Sequence, residues 1–181
     1  MSRIAHHPPG LNNCSLKDNL QGTPYVQNQS FLNITARMSS YLVTGAGRGL
    51  GLEFVRQLSQ RPAKQVSVIF ATVRGPPSEA LQELADESNG RLIILHMVLS
   101  DKSSISAAVE QVVVKLAGQG LDVLINNAGM VTATPGGIAA MADLMDVVQV
   151  NVENVQNVTS AFLPLLKQGK QKKVMNLWVF F

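Results

Sequence analysis

The chain has 181 residues, one domain's worth of sequence, and its 46% apolar content supplies a core and excludes a wholly disordered polypeptide. A single cysteine, Cys14, excludes an intrachain disulfide framework and a cysteine-rich zinc module. The net charge of +3 suits a phosphate-bearing ligand but is spread too thinly for nucleic acid, and no stretch has the apolarity of a membrane span.

Residues 1–37 are rich in Asn and Gln, and their apolar residues follow neither helical nor strand periodicity. They read as a disordered N-terminal extension ahead of a domain at 38–181. They match a transit peptide poorly and carry no secretory leader pattern, so the cytoplasm is the expected location. His6 and His7 read as structural or solvated and not as ligands. The sequons at Asn13, Asn28, Asn33 and Asn157 read as chance in an Asn-rich chain.

From Met38 onward short apolar runs alternate with amphipathic segments. Tyr41–Thr44 reads as a first strand and Leu50–Gln60 as a helix. Val66–Thr72 is the second strand, and Ser78 caps a helix that Gly90 closes. Leu92–Val98 is the third strand. A helix then carries Ile105, Ala108, Val109, Val112, Val113 and Leu116 on one face. Val123–Asn126 is the fourth strand. One long helix comes next, with Met141, Leu144, Val148, Val152, Val155 and Phe162 as its stripe, and Val174–Val179 is the fifth strand. This alternation predicts an α/β, Rossmann-type, doubly wound parallel sheet in the order 3-2-1-4-5. The long helix around Asn151 is the expected face of a homodimer.

The first strand runs into Thr44-Gly45-Ala46-Gly47-Arg48-Gly49-Leu50-Gly51 and then a helix. A strand, a glycine turn and a helix N-terminus together make an anion site, because free N–H groups and the helix dipole both favour phosphate. Gly45 permits the tight turn, Gly49 lets a pyrophosphate approach, and Gly51 lets the helix pack close to the sheet. The spacing is G-x-x-x-G-x-G. An acidic residue for the ribose 2′-hydroxyl is expected about 20 residues further on. The second strand instead ends Phe70-Ala71-Thr72-Val73-Arg74. Arg48 and Arg74 are either two solvated charges or a bidentate clasp for a 2′-phosphate, which points to NADP(H) over NAD(H).

The loop at 44–51, Asn126-Asn127-Ala128-Gly129 after the fourth strand, and Asn151 in the long helix together resemble the short-chain dehydrogenase/reductase family. The wording around them (LEFVRQL, FATVRGP, LDVLINNAG, AFLPLLK) is similar to the sniffer and C-signal type of carbonyl reductase. The resemblance covers about residues 38–176. It implies that Gly45, Ala46, Gly47, Arg48, Gly49 and Leu50 hold the pyrophosphate, with Arg48 and Arg74 on the 2′-phosphate. It also implies that Asn126, Ala128 and Gly129 line the adenosine and ribose side, and that Asn151 holds a water of the family's proton relay. Where the family has an acidic residue at the adenine edge this chain has Val98, and Leu99 contributes backbone and packing. His96 reads as structural or solvated.

The family's chemistry further needs a Ser after the fifth strand and then Tyr-x-x-x-Lys. The residue four after Tyr25 is Gln29, and four after Tyr41 is Gly45. After Asn176-Leu177 the sequence reads Trp178-Val179-Phe180-Phe181. Two readings result. One is an NADP(H)-dependent oxidoreductase acting on a small carbonyl substrate. The other is a truncated, non-catalytic NADP(H)-binding or interaction protein.

Overall fold

A computed structural model describes residues 38–132, 135–137 and 140–177. The expectations for residues 1–37 and for Trp178–Phe181 lie outside the described residues. The described chain runs β1 (Ser39–Val43), α1 (Gly49–Ser59), β2 (Val66–Val73), α2 (Glu79–Glu87), β3 (Leu92–His96), α3 (Lys102–Leu116), β4 (Val123–Asn126), α4 (Leu144–Val148), α5 (Asn154–Gln168) and β5 (Lys173–Asn176). All strand pairs are parallel and the order is β3-β2-β1-β4-β5, as expected.

Strands buried on both faces read as continuous apolar runs, and alternate residues serve opposite sides. Leu42, Phe70, Leu95 and Leu124 pack on one face with Ile105, Ala108, Val112 and Leu116 of α3 and Val158, Phe162 and Leu165 of α5. Val43, Ile69, Ala71 and Ile125 pack on the other with Val55 of α1 and Leu81 of α2. Val113 falls outside the buried stripe of α3 and is 46% exposed. Ser78 caps α2 as expected, through its hydroxyl and Leu81 N–H. That helix ends earlier than expected, at Glu87, and Gly90 (φ +76) belongs to the turn beyond it. β3 stops at His96, where pairing with Val73 ends.

The long helix is the main departure. It is broken by a π turn at Gln149–Glu153, between α4 and α5. A π turn inserts one extra residue per turn and so rotates the buried face. The stripe expected from Met141 to Phe162 therefore holds only at its end: Leu144, Val148 and Val152 are exposed, whereas Phe162 is buried, on a packing face with Asn154, Val158, Leu165 and Leu166. The fifth strand spans Lys173–Asn176 instead of reaching Val179, and Leu177 N–H still bonds Asn126 O at 3.0 Å.

At the N-terminal ends of the strands, buried Asp122 ties three segments. One carboxylate oxygen accepts the Ser40 N–H at 2.9 Å, and the other accepts the N–H groups of Lys170 at 2.7 Å and Gln171 at 3.1 Å. The turn after α5 lies so close that a Cβ on Gly169 would sit 2.0 Å from Leu121 O. On the α1 side, the Arg91 guanidinium donates to Ser59 O at 2.9 Å and Arg61 O at 3.0 Å, closing the C-terminal end of that helix.

Candidate functional site

The C-terminal ends of β1, β2 and β4 meet at the glycine loop, the crevice side on which ligands bind in open α/β sheets. Thr44 ends β1 and organises the loop. Its hydroxyl oxygen accepts the N–H groups of Asn127 and Ala128, each at 3.0 Å. Its own N–H donates to Ile125 O at 3.0 Å, and Ala46 N–H to Thr72 O at 2.9 Å. The Asn127 amide Nδ2 returns the link, donating to Thr44 O at 2.9 Å and Gly45 O at 3.2 Å.

Two glycines are required by these approaches. Gly45 has φ +67, and a Cβ there would lie 2.9 Å from Ala128 Cα. A Cβ on Gly51 would lie 2.3 Å from Gly45 O and 2.4 Å from Asn127 Nδ2. The tight contact at Gly51 is thus with the loop's own carbonyl and with Asn127. Gly49 (φ +57) faces open space. Gly51→Ala should therefore destabilise the fold by about 3 kcal/mol, the upper range of overpacking. Gly49→Ala, which meets only backbone strain, should cost about 1–2 kcal/mol. Urea unfolding of the two variants checks the difference; equal losses would contradict it.

The cradle fits a pyrophosphate. Arg48 is the N-cap of α1, and Leu52 N–H bonds Arg48 O at 3.3 Å. The N–H groups of Gly49, Leu50 and Gly51 precede the first intrahelical bond, and no acidic residue stands in the first turn. Gly47 and half-exposed Leu50 complete the rim. Arg48 and Arg74 are both exposed, and among the described residues neither guanidinium has a hydrogen-bond or ion-pair partner. Arg74 stands one residue beyond β2, and His96 at the end of β3 bonds its carbonyl through Nε2 at 3.1 Å.

The other expected residues lie around this loop. Asn126 is buried and donates through Nδ2 to Thr159 Oγ1 at 3.1 Å and Asn176 Oδ1 at 2.8 Å, bridging β4, α5 and β5. Ala128 and Gly129 carry the chain away from β4 over Gly45 and toward Asn151. Asn151, within the π turn, clamps the next residue. Its Oδ1 accepts Met130 N–H at 2.8 Å and its Nδ2 donates to Met130 O at 2.7 Å. π turns recur at functional sites. Leu99 packs partly buried against the core, and Val98 N–H is taken by Ser104 Oγ at 2.9 Å. Thr44 and Asn127 build the site without being among its expected contacts; for Asn127 the signal is its place inside the NNAG tetrapeptide.

Among the described residues no three or more His, Cys, Asp or Glu side chains gather as a metal site, and no helix is long and apolar enough to cross a membrane.

The family model for short chain dehydrogenases matches residues 40–178. The chain is 36% identical over 153 residues to the short-chain dehydrogenase/reductase AacuF of Aspergillus aculeatus, covering 77% of this chain and 54% of that one. Among solved structures, NADPH-bound carbonyl reductase from chicken fatty liver superposes with a TM-score of 0.65 at 38% identity, over 73% of this chain and 49% of the other. Carbonyl reductase Sniffer of Drosophila melanogaster gives a TM-score of 0.66 at 33% identity, over 72% and 53%. The chain spans about half the length of the relatives it matches.

Proposed function

The chain belongs to the short chain dehydrogenase family, and we propose that residues 38–181 are the cofactor-binding part of an NADP(H)-dependent reductase of small carbonyl compounds. The observation that carries this reading is the pair of exposed guanidinium groups, Arg48 and Arg74, without a partner among the described residues, beside a glycine loop at a helix N-terminus, with no carboxylate at the end of β2. A carboxylate there would favour a ribose 2′-hydroxyl, whereas guanidinium favours a 2′-phosphate.

Gly45 through Leu50 would hold the pyrophosphate with backbone N–H groups, and Arg48 and Arg74 the 2′-phosphate. Asn126, Ala128 and Gly129 would line the adenosine and ribose side, and Leu99 would pack at the adenine edge. Bound there, the nicotinamide would supply the hydride for carbonyl reduction. Asn151 uses one N–H and one lone pair on Met130. An asparagine amide has two of each, so a donor and an acceptor are left to hold a water of a proton relay.

Leu144, Met145, Val148 and Val152 form an exposed apolar face beside the π turn, which supports a homodimer through this region.

Fluorescence titration with NADPH and NADH tests the cofactor assignment. Arg74→Ala should weaken NADPH binding by about 1.5–3 kcal/mol, the scale of a hydrogen bond to a charged group, and leave NADH nearly unchanged. Equal losses for both would overturn the 2′-phosphate assignment.

A further inference from the structure

We propose that His96 is a positioning residue for cofactor discrimination: it fixes the backbone that presents Arg74, and so sets the preference for NADPH over NADH. This rests on the assignment of Arg74 to the 2′-phosphate.

The parallel register pairs Val73 with His96, the last residues of β2 and β3. Beyond that pair, among the described residues, two bonds hold the end of β2 to β3. Met97 N–H bonds Val73 O at 2.8 Å, and His96 Nε2 bonds Arg74 O at 3.1 Å. Because a carbonyl oxygen only accepts, His96 Nε2 must carry the proton and donate. The neutral Nε2–H tautomer and the imidazolium both meet that requirement.

The residues after Arg74 make this one bond matter. Gly75 is a free joint, with nothing within 4 Å of where a Cβ would be, and Pro76 and Pro77 stiffen the chain after it. Without the His96 tether, Arg74 would stand between a strand end and a glycine hinge, and its side chain would sweep a wide arc. With the tether, the carbonyl of Arg74 is held and its Cα–Cβ direction is set. The imidazole is exposed and has no other hydrogen-bond partner among the described residues, so it serves no core contact.

The test compares His96→Ala, His96→Gln, Arg74→Ala and the His96→Ala/Arg74→Ala double variant of the full chain, titrated with NADPH and with NADH, with thermal unfolding followed in parallel. His96→Ala should weaken NADPH by about 3- to 10-fold, the effect of one hydrogen bond, with NADH affinity and the unfolding midpoint unmoved. His96→Gln, which keeps a side-chain N–H, should recover most of the loss. In the Arg74→Ala background His96→Ala should add nothing. If Arg74→Ala loses NADPH selectively and His96→Ala does not, this inference falls alone. If Arg74→Ala shows no selectivity, the 2′-phosphate assignment and this inference fall together.

Discussion

A purified polypeptide of these 181 residues, given NADPH and a panel of aldehydes and ketones, should show no steady-state reduction above the enzyme-free background. Hydride delivery to a carbonyl carbon leaves an alkoxide that must gain a proton. A positioned general acid contributes roughly 100- to 10,000-fold to such a step. The described part of the chain offers one tyrosine, Tyr41, and it sits in the middle of β1 against the α1 and α2 core, away from the C-terminal strand ends where the glycine loop lies. No lysine stands four residues after it. Asn151 bonds Met130 through its amide, and an amide is no proton donor of suitable acidity. The measurement is NADPH oxidation with carbonyl substrate present and absent. Turnover that depends on substrate and disappears in the Gly51→Ala variant would show that another group on this chain acts as the acid.

Replacing Asp122 should have the largest effect on stability. Asp122→Ala removes the acceptor for the N–H groups of Ser40, Lys170 and Gln171. Each donor left without a partner costs about 1–3 kcal/mol, so a loss of about 4 kcal/mol is expected. That is a large share of the roughly 5–15 kcal/mol by which a domain is stable. Asp122→Asn keeps one carbonyl oxygen but turns an NH₂ group toward these donors, and should cost about half as much. Urea unfolding followed by circular dichroism checks both. A loss under about 1 kcal/mol for the alanine variant, the level of an ordinary surface change, would show that water replaces the carboxylate at that junction.

The parallel sheet and its strand order were legible because apolar runs, glycine turns and capping residues are local signals, and Ser78 before α2 is one of them. The glycine loop was legible for the same reason. What escaped depends on partners distant in the chain. Asp122 meets Ser40 across 82 positions, and Asn127 meets Thr44 across 83; no periodicity records such pairs. The break between α4 and α5 escaped because a π turn leaves the composition of a helix intact while shifting its phase. Val148 and Val152 fit a period of 3.6 from Leu144, yet the face that packs begins again at Asn154. His96 carried no sequence signal, since its role comes from its register opposite Val73.

The reciprocal bonding of Thr44 and Asn127 has a consequence for affinity. The loop's course from Thr44 to Gly45 is held by Asn127 and Ala128, directly after β4, which the folded sheet already places beside it. Ordering a loose residue on binding takes roughly 1–2 kcal/mol of conformational entropy. A loop already ordered by folding gives up little of that freedom when a ligand arrives, which is how preorganisation strengthens binding without adding a contact. The same bonds then serve stability and affinity at once. Loosening Asn127, which need touch no ligand atom, would weaken binding by returning entropy to the empty loop, and the loss would be read as a less favourable binding entropy at nearly constant enthalpy.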